Sequence, residues 1–311
     1  MSKKHPIVAI TGSSGAGTTS VQRAFADIFR RNEIHAAQVQ GDAFFRYNRA
    51  EMRQAIDESI AAGNPISHFG PEANLFQELD RLFAEYGKNG TGRTRLYVRT
   101  REEAARLGVA EGEFTPWTDI PTDTDLLFYE GLHGGVAAER WTRRRSGGSP
   151  AHRPQGVKER RGTGQPIDVA QHVDLLIGVV PVINLEWIQK IHRDCATNGC
   201  TSEEVVETIL RRMDDYVHFI VPQFASTDIN FQRVPVVDTS NPFIARDVPK
   251  ADESVVVVHV RDRQRFDFPK LLRLIEGSWM SRPNTMVVPG GKMGVALEVI
   301  CTPLIQELLG R

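Results

Sequence analysis

The sequence predicts an α/β fold, a sheet with helices on both faces. Two observations carry this: short β-branched apolar runs alternate along the chain with amphipathic segments, and several of those runs are apolar at every position. Uninterrupted apolar strands belong to sheets covered on both sides, and strand–helix alternation builds such sheets. A 41% hydrophobic and 25% charged composition over 311 residues is that of an ordinary globular chain.

Residues 6–11 (PIVAIT) read as the first strand, closed by a glycine-rich turn. The segment after it places Val21, Phe25, Ile28 and Phe29 on one helical face. Residues 36–40 form a second strand ending at Gly41-Asp42. Residues 72–86 are an amphipathic helix, with Leu75, Leu79, Leu82 and Phe83 at spacings of three and four. Apolar runs at 126–129, just before Glu130, and at 173–182 read as interior parallel strands. Residues 184–194 and 203–213 read as helices, 254–260 and 285–288 as strands, and 297–309 as a tail that is helical after Pro303. No internal repeat is present.

Composition excludes several classes of function. The longest nearly unbroken apolar run, 175–183, is nine residues and contains Gly178 and Pro181. A membrane span needs about 18. The N-terminus has lysines but no long apolar stretch, so no secretion signal is expected. Three cysteines form no disulfide framework and suit a reducing compartment. The chain is therefore expected to be cytoplasmic, with no membrane partner. Charge is balanced at 38 basic against 39 acidic residues, except that 139–163 holds eight basic residues against two acidic ones. That stretch is rich in glycine and proline and reads as a surface loop, with a basic arm or a sequence artefact as the alternatives. One basic strip on a near-neutral chain does not make a nucleic-acid binder.

The residues suited to chemistry lie where strands end. Gly12-Ser13-Ser14-Gly15-Ala16-Gly17-Thr18-Thr19, followed by Ser20, has the glycine spacing of a phosphate-binding loop between a strand and a helix. Thr19 supplies the hydroxyl that such loops place on Mg²⁺. The usual lysine is replaced by Thr18, so the charge on a transferred phosphoryl group must be met elsewhere. Asp42, after the second strand, is either a general base for an attacking hydroxyl or a helix cap. Glu130 follows an apolar strand where a second carboxylate would meet a metal. Lys190, Arg193 and Asp194 share a helix face, as a surface ion-pair cluster or as a source of cations for phosphate. The pair Cys195-x₄-Cys200 lacks further ligands and is a weak metal signal.

The strings TGSSGAGTTS, GDAFFRYNRAEM, LLFYEGLHGG, VVPVINLEWIQKIHRD, ILRRM, FQRVPVVDTSNPFIAR and SWMSR closely resemble phosphoribulokinases of the bacterial, allosterically regulated type. The resemblance covers nearly the whole chain outside about 139–166. It implies a P-loop kinase fold resembling nucleotide-monophosphate kinases, with a central mixed sheet, in a single domain spanning 1–311 with an atypical basic insert at about 139–166. It implies ATP and Mg²⁺ as cofactors and D-ribulose 5-phosphate as the acceptor, phosphorylated to ribulose 1,5-bisphosphate in the Calvin cycle. Asp42 is then the base, Asp194 a second essential carboxylate near the metal, Glu130 a metal residue, Lys190 and Arg193 the phosphate cations, and Arg49 a ligand of the sugar phosphate. Arg31, Arg211, Arg212 and Arg282 match arginines tied to oligomer contacts and effector response, in a homo-octamer activated by NADH and inhibited by AMP. Four positions depart from the pattern. Phe45 and Arg99 stand for histidines, and Asn198 and His259 for arginines. A related small-molecule kinase, such as one for uridine, and a non-catalytic nucleotide sensor are the alternatives.

Overall fold

The computed structural model describes residues 4–12, 18–137, 167–245 and 247–311; the side chains of Thr18, Thr19, Ser20 and Asn198 are outside the description. The readings of Ser13, Ser14, Gly15, Ala16 and Gly17, and of the basic stretch 139–166, fall outside it as well. Among the described residues an eight-stranded sheet runs in the order β2-β5-β1-β6-β7-β8-β10-β9. Its strands are β1 (Ile7–Gly12), β2 (Ala36–Gln40), β5 (Leu126–Gly131), β6 (Leu175–Pro181), β7 (Ile229–Pro235), β8 (Ser254–Val260), β9 (Trp279–Arg282) and β10 (Thr285–Pro289). A separate two-stranded ribbon pairs β3 (Arg93–Thr94) with β4 (Thr118–Asp119). Strands β2, β5, β1, β6 and β7 are mutually parallel, and β8, β10 and β9 continue antiparallel. The sheet is mixed, as expected.

Strand alternation divides the core. On β1, Val8 and Ile10 join the face that contains α1 (Thr18–Arg31) and α8 (Met293–Leu309), whereas Ile7 and Ala9 join the face of α3 (Phe76–Asn89). On β5, Leu126 and Phe128 take the first face and Leu127 and Tyr129 the second. The stripe Val21, Phe25, Ile28 and Phe29 is buried on α1, with Phe25 stacked on Phe128 at 4.8 Å between ring centroids. Helix α3 buries Phe76, Leu79, Leu82, Phe83 and Tyr86.

Two helices differ from expectation. Helix α3 begins at Phe76 rather than at 72, because Pro71–Ala73 forms a separate 3₁₀ turn. Asn74 locks that turn, donating to the carbonyls of His68 (2.9 Å) and Gly70 (2.7 Å). Helix α8 begins at Met293 and runs through Pro303 instead of starting after it. A helix-interior proline forfeits a hydrogen bond. Here burial of Ala296, Leu297, Ile300, Cys301, Leu304 and Ile305 holds the helix together despite that loss.

Parallel order reverses about β1: the chain leaves it for β2 on one side and reaches β6 on the other. Ligands of open α/β sheets bind beyond the carboxyl ends of the strands at such a switch point. The carboxyl ends of β1, β2, β5 and β6 therefore mark the place to look for a site.

Candidate active site

A cavity of about 940 Å³ opens at that edge, lined by Gly12 of β1, Glu130 and Gly131 of β5, Val179 of β6, and Asp42. Its opposite wall comes from α5 (Ile183–Asn198) and α6 (Ser202–Asp215), which present Lys190, Arg193 and Arg212. A 3₁₀ turn, Gly41–Phe44, carries Asp42 off the end of β2. Two glycines let the strand ends meet: a Cβ on Gly41 would lie 2.8 Å from the Cα of Gly131, and one on Gly131 would lie 2.7 Å from the Cα of Gly41. Any larger residue at either position would push the two carboxylate-bearing segments apart.

Burial raises the Asp42 carboxyl above its ordinary range, and Arg99 opposes that shift. Arg99 Nε donates to Asp42 Oδ2 at 2.8 Å, and its Nη2 lies 2.6 Å from the same oxygen. Glu130 is raised too, mainly by burial, with Gln22 of α1 donating to its Oε2 and Arg99 pulling the other way. Two neighbouring carboxylates, both more basic than usual, suit proton acceptance and cation binding.

Across the cavity, Asp194 is gripped from two sides. Lys190 Nζ donates to its Oδ2, and Arg193 Nε to its Oδ1 at 3.0 Å. Burial pushes Asp194 up, but the two cations outweigh it and hold the group below the usual carboxylate range. Burial also lowers Lys190 and brings Arg212 down to about 10. Of these side chains, Lys190, Arg193 and Arg212 line the cavity. Here Asp194 orients cations. Glu130 and Asp42 are the carboxylates on the strand side, where a metal would be expected.

Mg²⁺ is commonly held by one or two carboxylates with phosphate oxygens and water completing the shell. Among the described residues no group of three or more ligating side chains gathers. A single carboxylate such as Glu130, completed by phosphate oxygens and water, fits the sparse donor set that magnesium uses.

Other sites expected from sequence are placed differently. Arg49, at the start of α2 (Arg49–Ala61), binds Glu111 at 2.6 Å and the carbonyl of Arg99 at 3.2 Å. It braces the loop that carries Arg99 and is not among the described residues lining the cavity. Arg31 pairs with Glu298 of α8, Arg282 is exposed on the edge strand β9, and Arg211 has a buried Nε without a hydrogen-bond partner. Arg212 lines the cavity. Sequence reading overlooked His68, whose ring packs 5.0 Å from that of Phe45 and whose buried Nδ1 has no partner. Burial, reinforced by Arg212, Lys190 and His133, lowers His68 to about 3, so it is neutral at pH 7. It also overlooked Tyr216, whose hydroxyl donates to Glu186 at 2.9 Å in the cavity wall. Neither has a spacing signal.

Cys195 and Cys200 are unpaired and pack against a small cluster of Ile191, Val205 and Ile209. Cys195→Ser is expected to leave steady-state turnover unchanged; complete loss of activity would assign the thiol a role in the reaction.

Residues 7–144 and 156–240 match the profile of the Phosphoribulokinase / Uridine kinase family. The chain is 55% identical over 310 residues to Phosphoribulokinase 1 of Cereibacter sphaeroides, covering 99% of this chain and 98% of that protein. It is 50% identical over 309 residues to a probable phosphoribulokinase of Escherichia coli K12, covering 99% of this chain and 98% of that one. The solved phosphoribulokinase from Rhodobacter spheroides superposes with a TM-score of 0.83 at 52% identity, over 99% of each chain. A phosphate-binding loop spacing, a P-loop-type sheet, a carboxylate-rich strand edge and full-length similarity converge, and the chain belongs to the Phosphoribulokinase / Uridine kinase family.

Proposed function

We propose that this chain is a phosphoribulokinase, transferring the γ-phosphoryl group of ATP to the 1-hydroxyl of D-ribulose 5-phosphate. The observation that carries the reading is the pairing of Asp42 with Glu130 on one wall of the cavity and of Lys190, Arg193 and Arg212 on the other. Similarity over nearly the full length of proteins named phosphoribulokinase supports the choice of acceptor. Asp42 takes the proton of the hydroxyl as its oxygen bonds to the γ-phosphorus, and the bond to the β,γ-bridging oxygen breaks to release ADP. Lys190 and Arg193, held in place by Asp194, face the charge that accumulates on the transferred group, the task left open by Thr18. The loop Gly12, Ser13, Ser14, Gly15, Ala16, Gly17, Thr18, Thr19 and Ser20 cradles the nucleotide phosphates. Glu130 and Thr19 would hold Mg²⁺, which neutralises phosphate charge when bound.

The regulatory part of the proposal, NADH activation, AMP inhibition and an octamer, rests on the resemblance. Exposure of Arg282 supports a contact or effector role for that residue, whereas the position of Arg212 supports one in the cleft. A single kinase domain spanning the chain, with 139–166 as an atypical stretch, is part of the proposal, and the match to the Cereibacter protein over 99% of this chain supports it. A cytoplasmic location is part of the proposal; no described helix is long and apolar enough to cross a membrane. A nucleoside acceptor is the second reading. The cavity-lining rings of Phe45, His68, Phe69 and Trp187 favour it, since they offer aromatic surface on which a base can stack. ADP release from Mg-ATP with D-ribulose 5-phosphate, D-ribulose or uridine separates the two readings. Turnover on ribulose 5-phosphate far above that on ribulose, with none on uridine, is expected; turnover on uridine alone would replace the first reading with the second.

A further inference from the structure

The contact between Arg99 and Asp42 sets a constraint on the proposed reaction. Both guanidinium contacts fall on one oxygen of the group that must accept the substrate proton, and both side chains line the cavity. Arg99 makes the carboxylate a poorer base than burial alone would, because a proton must compete with a neighbouring cation. The groups that face Asp42 are Arg99 from the loop before α4 (Arg101–Leu107), and Glu130 and the Tyr129 hydroxyl from β5. Among these only Arg99 carries positive charge.

Arg99 is built to move at its tip and not at its base. Its backbone N–H donates to Glu103 Oε2 at 2.7 Å, and its carbonyl accepts from Arg49 Nη2 at 3.2 Å. The next residue, Thr100, caps α4 through a reciprocal box with Glu103. The side chain itself is 47% exposed. A phosphate dianion offers a guanidinium more charge and more acceptor oxygens than one carboxylate does. The other cavity cations nearest the reaction, Lys190 and Arg193, already share Asp194.

We propose that Arg99 is a latch on the proton acceptor: it holds Asp42 while no acceptor is bound, and the phosphate of an incoming sugar phosphate draws the guanidinium away, releasing the carboxylate. The latch rests on the reading of the acceptor as a sugar phosphate and deepens it. It makes the phosphate, remote from the reacting hydroxyl, a condition for turnover. Arg99 is thus a specificity-determining residue of this chain, and Arg49 a positioning residue for it.

The test divides the substrate in two, with D-ribulose as the acceptor and phosphite dianion as the probe that stands for the missing phosphate. The full-length wild-type chain is expected to phosphorylate ribulose slowly, and phosphite is expected to raise that rate by about tenfold or more, the scale of a restored charge-assisted contact. In Arg99→Gln the phosphite effect disappears, the unassisted rate on ribulose rises, and kcat/KM for ribulose 5-phosphate falls by about tenfold or more. A merely structural role for Arg99 would not move phosphite activation. Absence of phosphite activation in the wild type, or its persistence in Arg99→Gln, would overturn the latch. If Arg99→Gln does not fold, the wild-type phosphite response and that of Arg99→Lys decide. A wild type that ignores ribulose 5-phosphate removes the proposed acceptor and the latch together. A wild type that turns it over without responding to phosphite removes the latch alone.

Discussion

Asp42→Asn is expected to lower kcat on ribulose 5-phosphate by about 10²–10⁴-fold, the range that loss of a general base produces. The amide retains the shape of the carboxylate and can still accept a hydrogen bond from Arg99, so the turn Gly41–Phe44 and the fold should survive. ATP binding should be close to unchanged, because the proposal assigns the nucleotide phosphates to the loop after β1. In the parent enzyme, activity should be lost as pH falls through the raised Asp42 ionisation, since only the carboxylate accepts the proton. That acid limb should disappear from the residual activity of the variant. A rate within tenfold of the parent would remove Asp42 from the role of base.

Lys190→Ala is the second large effect, about 10²–10³-fold in kcat, on the scale of losing one preorganised charge at a phosphoryl-transfer centre. A P-loop kinase with a lysine in its loop would have a second cation close to the transferred group. Here Thr18 stands in that position, and Lys190 reaches the cavity from α5 instead. Asp194 would keep Arg193 as a partner at 3.0 Å, so the variant does not leave a buried carboxylate unpaired. Partial recovery in Lys190→Arg would show that charge, and not packing, is what the position supplies. Unimpaired turnover in Lys190→Ala would mean that Arg193 and Arg212 suffice.

Sequence periodicity located β1, β5 and β6 because their apolar runs are buried on both faces. Strands 36–40 and 254–260 coincide with β2 and β8. Strand β7 was harder to see: INFQRVP mixes apolar and polar residues, having one parallel and one antiparallel neighbour but only partial burial. Pro303 hid the first half of α8, since local backbone chemistry argues for a break and only the buried face argues against it. Among site residues, Asp42 and Glu130 were legible because they directly end strands at a switch point. The Lys190–Arg193–Asp194 group was legible as a helix face but not as a cavity wall. The link from Arg99 to Asp42 joins residues 57 apart in sequence and depends on how two loops are braced. Arg49 was read as a ligand from resemblance, yet its guanidinium holds Glu111 and the backbone beneath Arg99. His68 and Tyr216 carry no local pattern at all.

The central claim is that this cleft moves a phosphoryl group from ATP to the free primary hydroxyl of a sugar phosphate. Phosphorus NMR of a single reaction with Mg-ATP and D-ribulose 5-phosphate tests it most directly. The γ-phosphate resonance is expected to be replaced, mole for mole, by a second phosphomonoester on the sugar, with ADP as the other product. Inorganic phosphate in place of that ester, or an unchanged ATP spectrum beside phosphorylation of uridine, would contradict it.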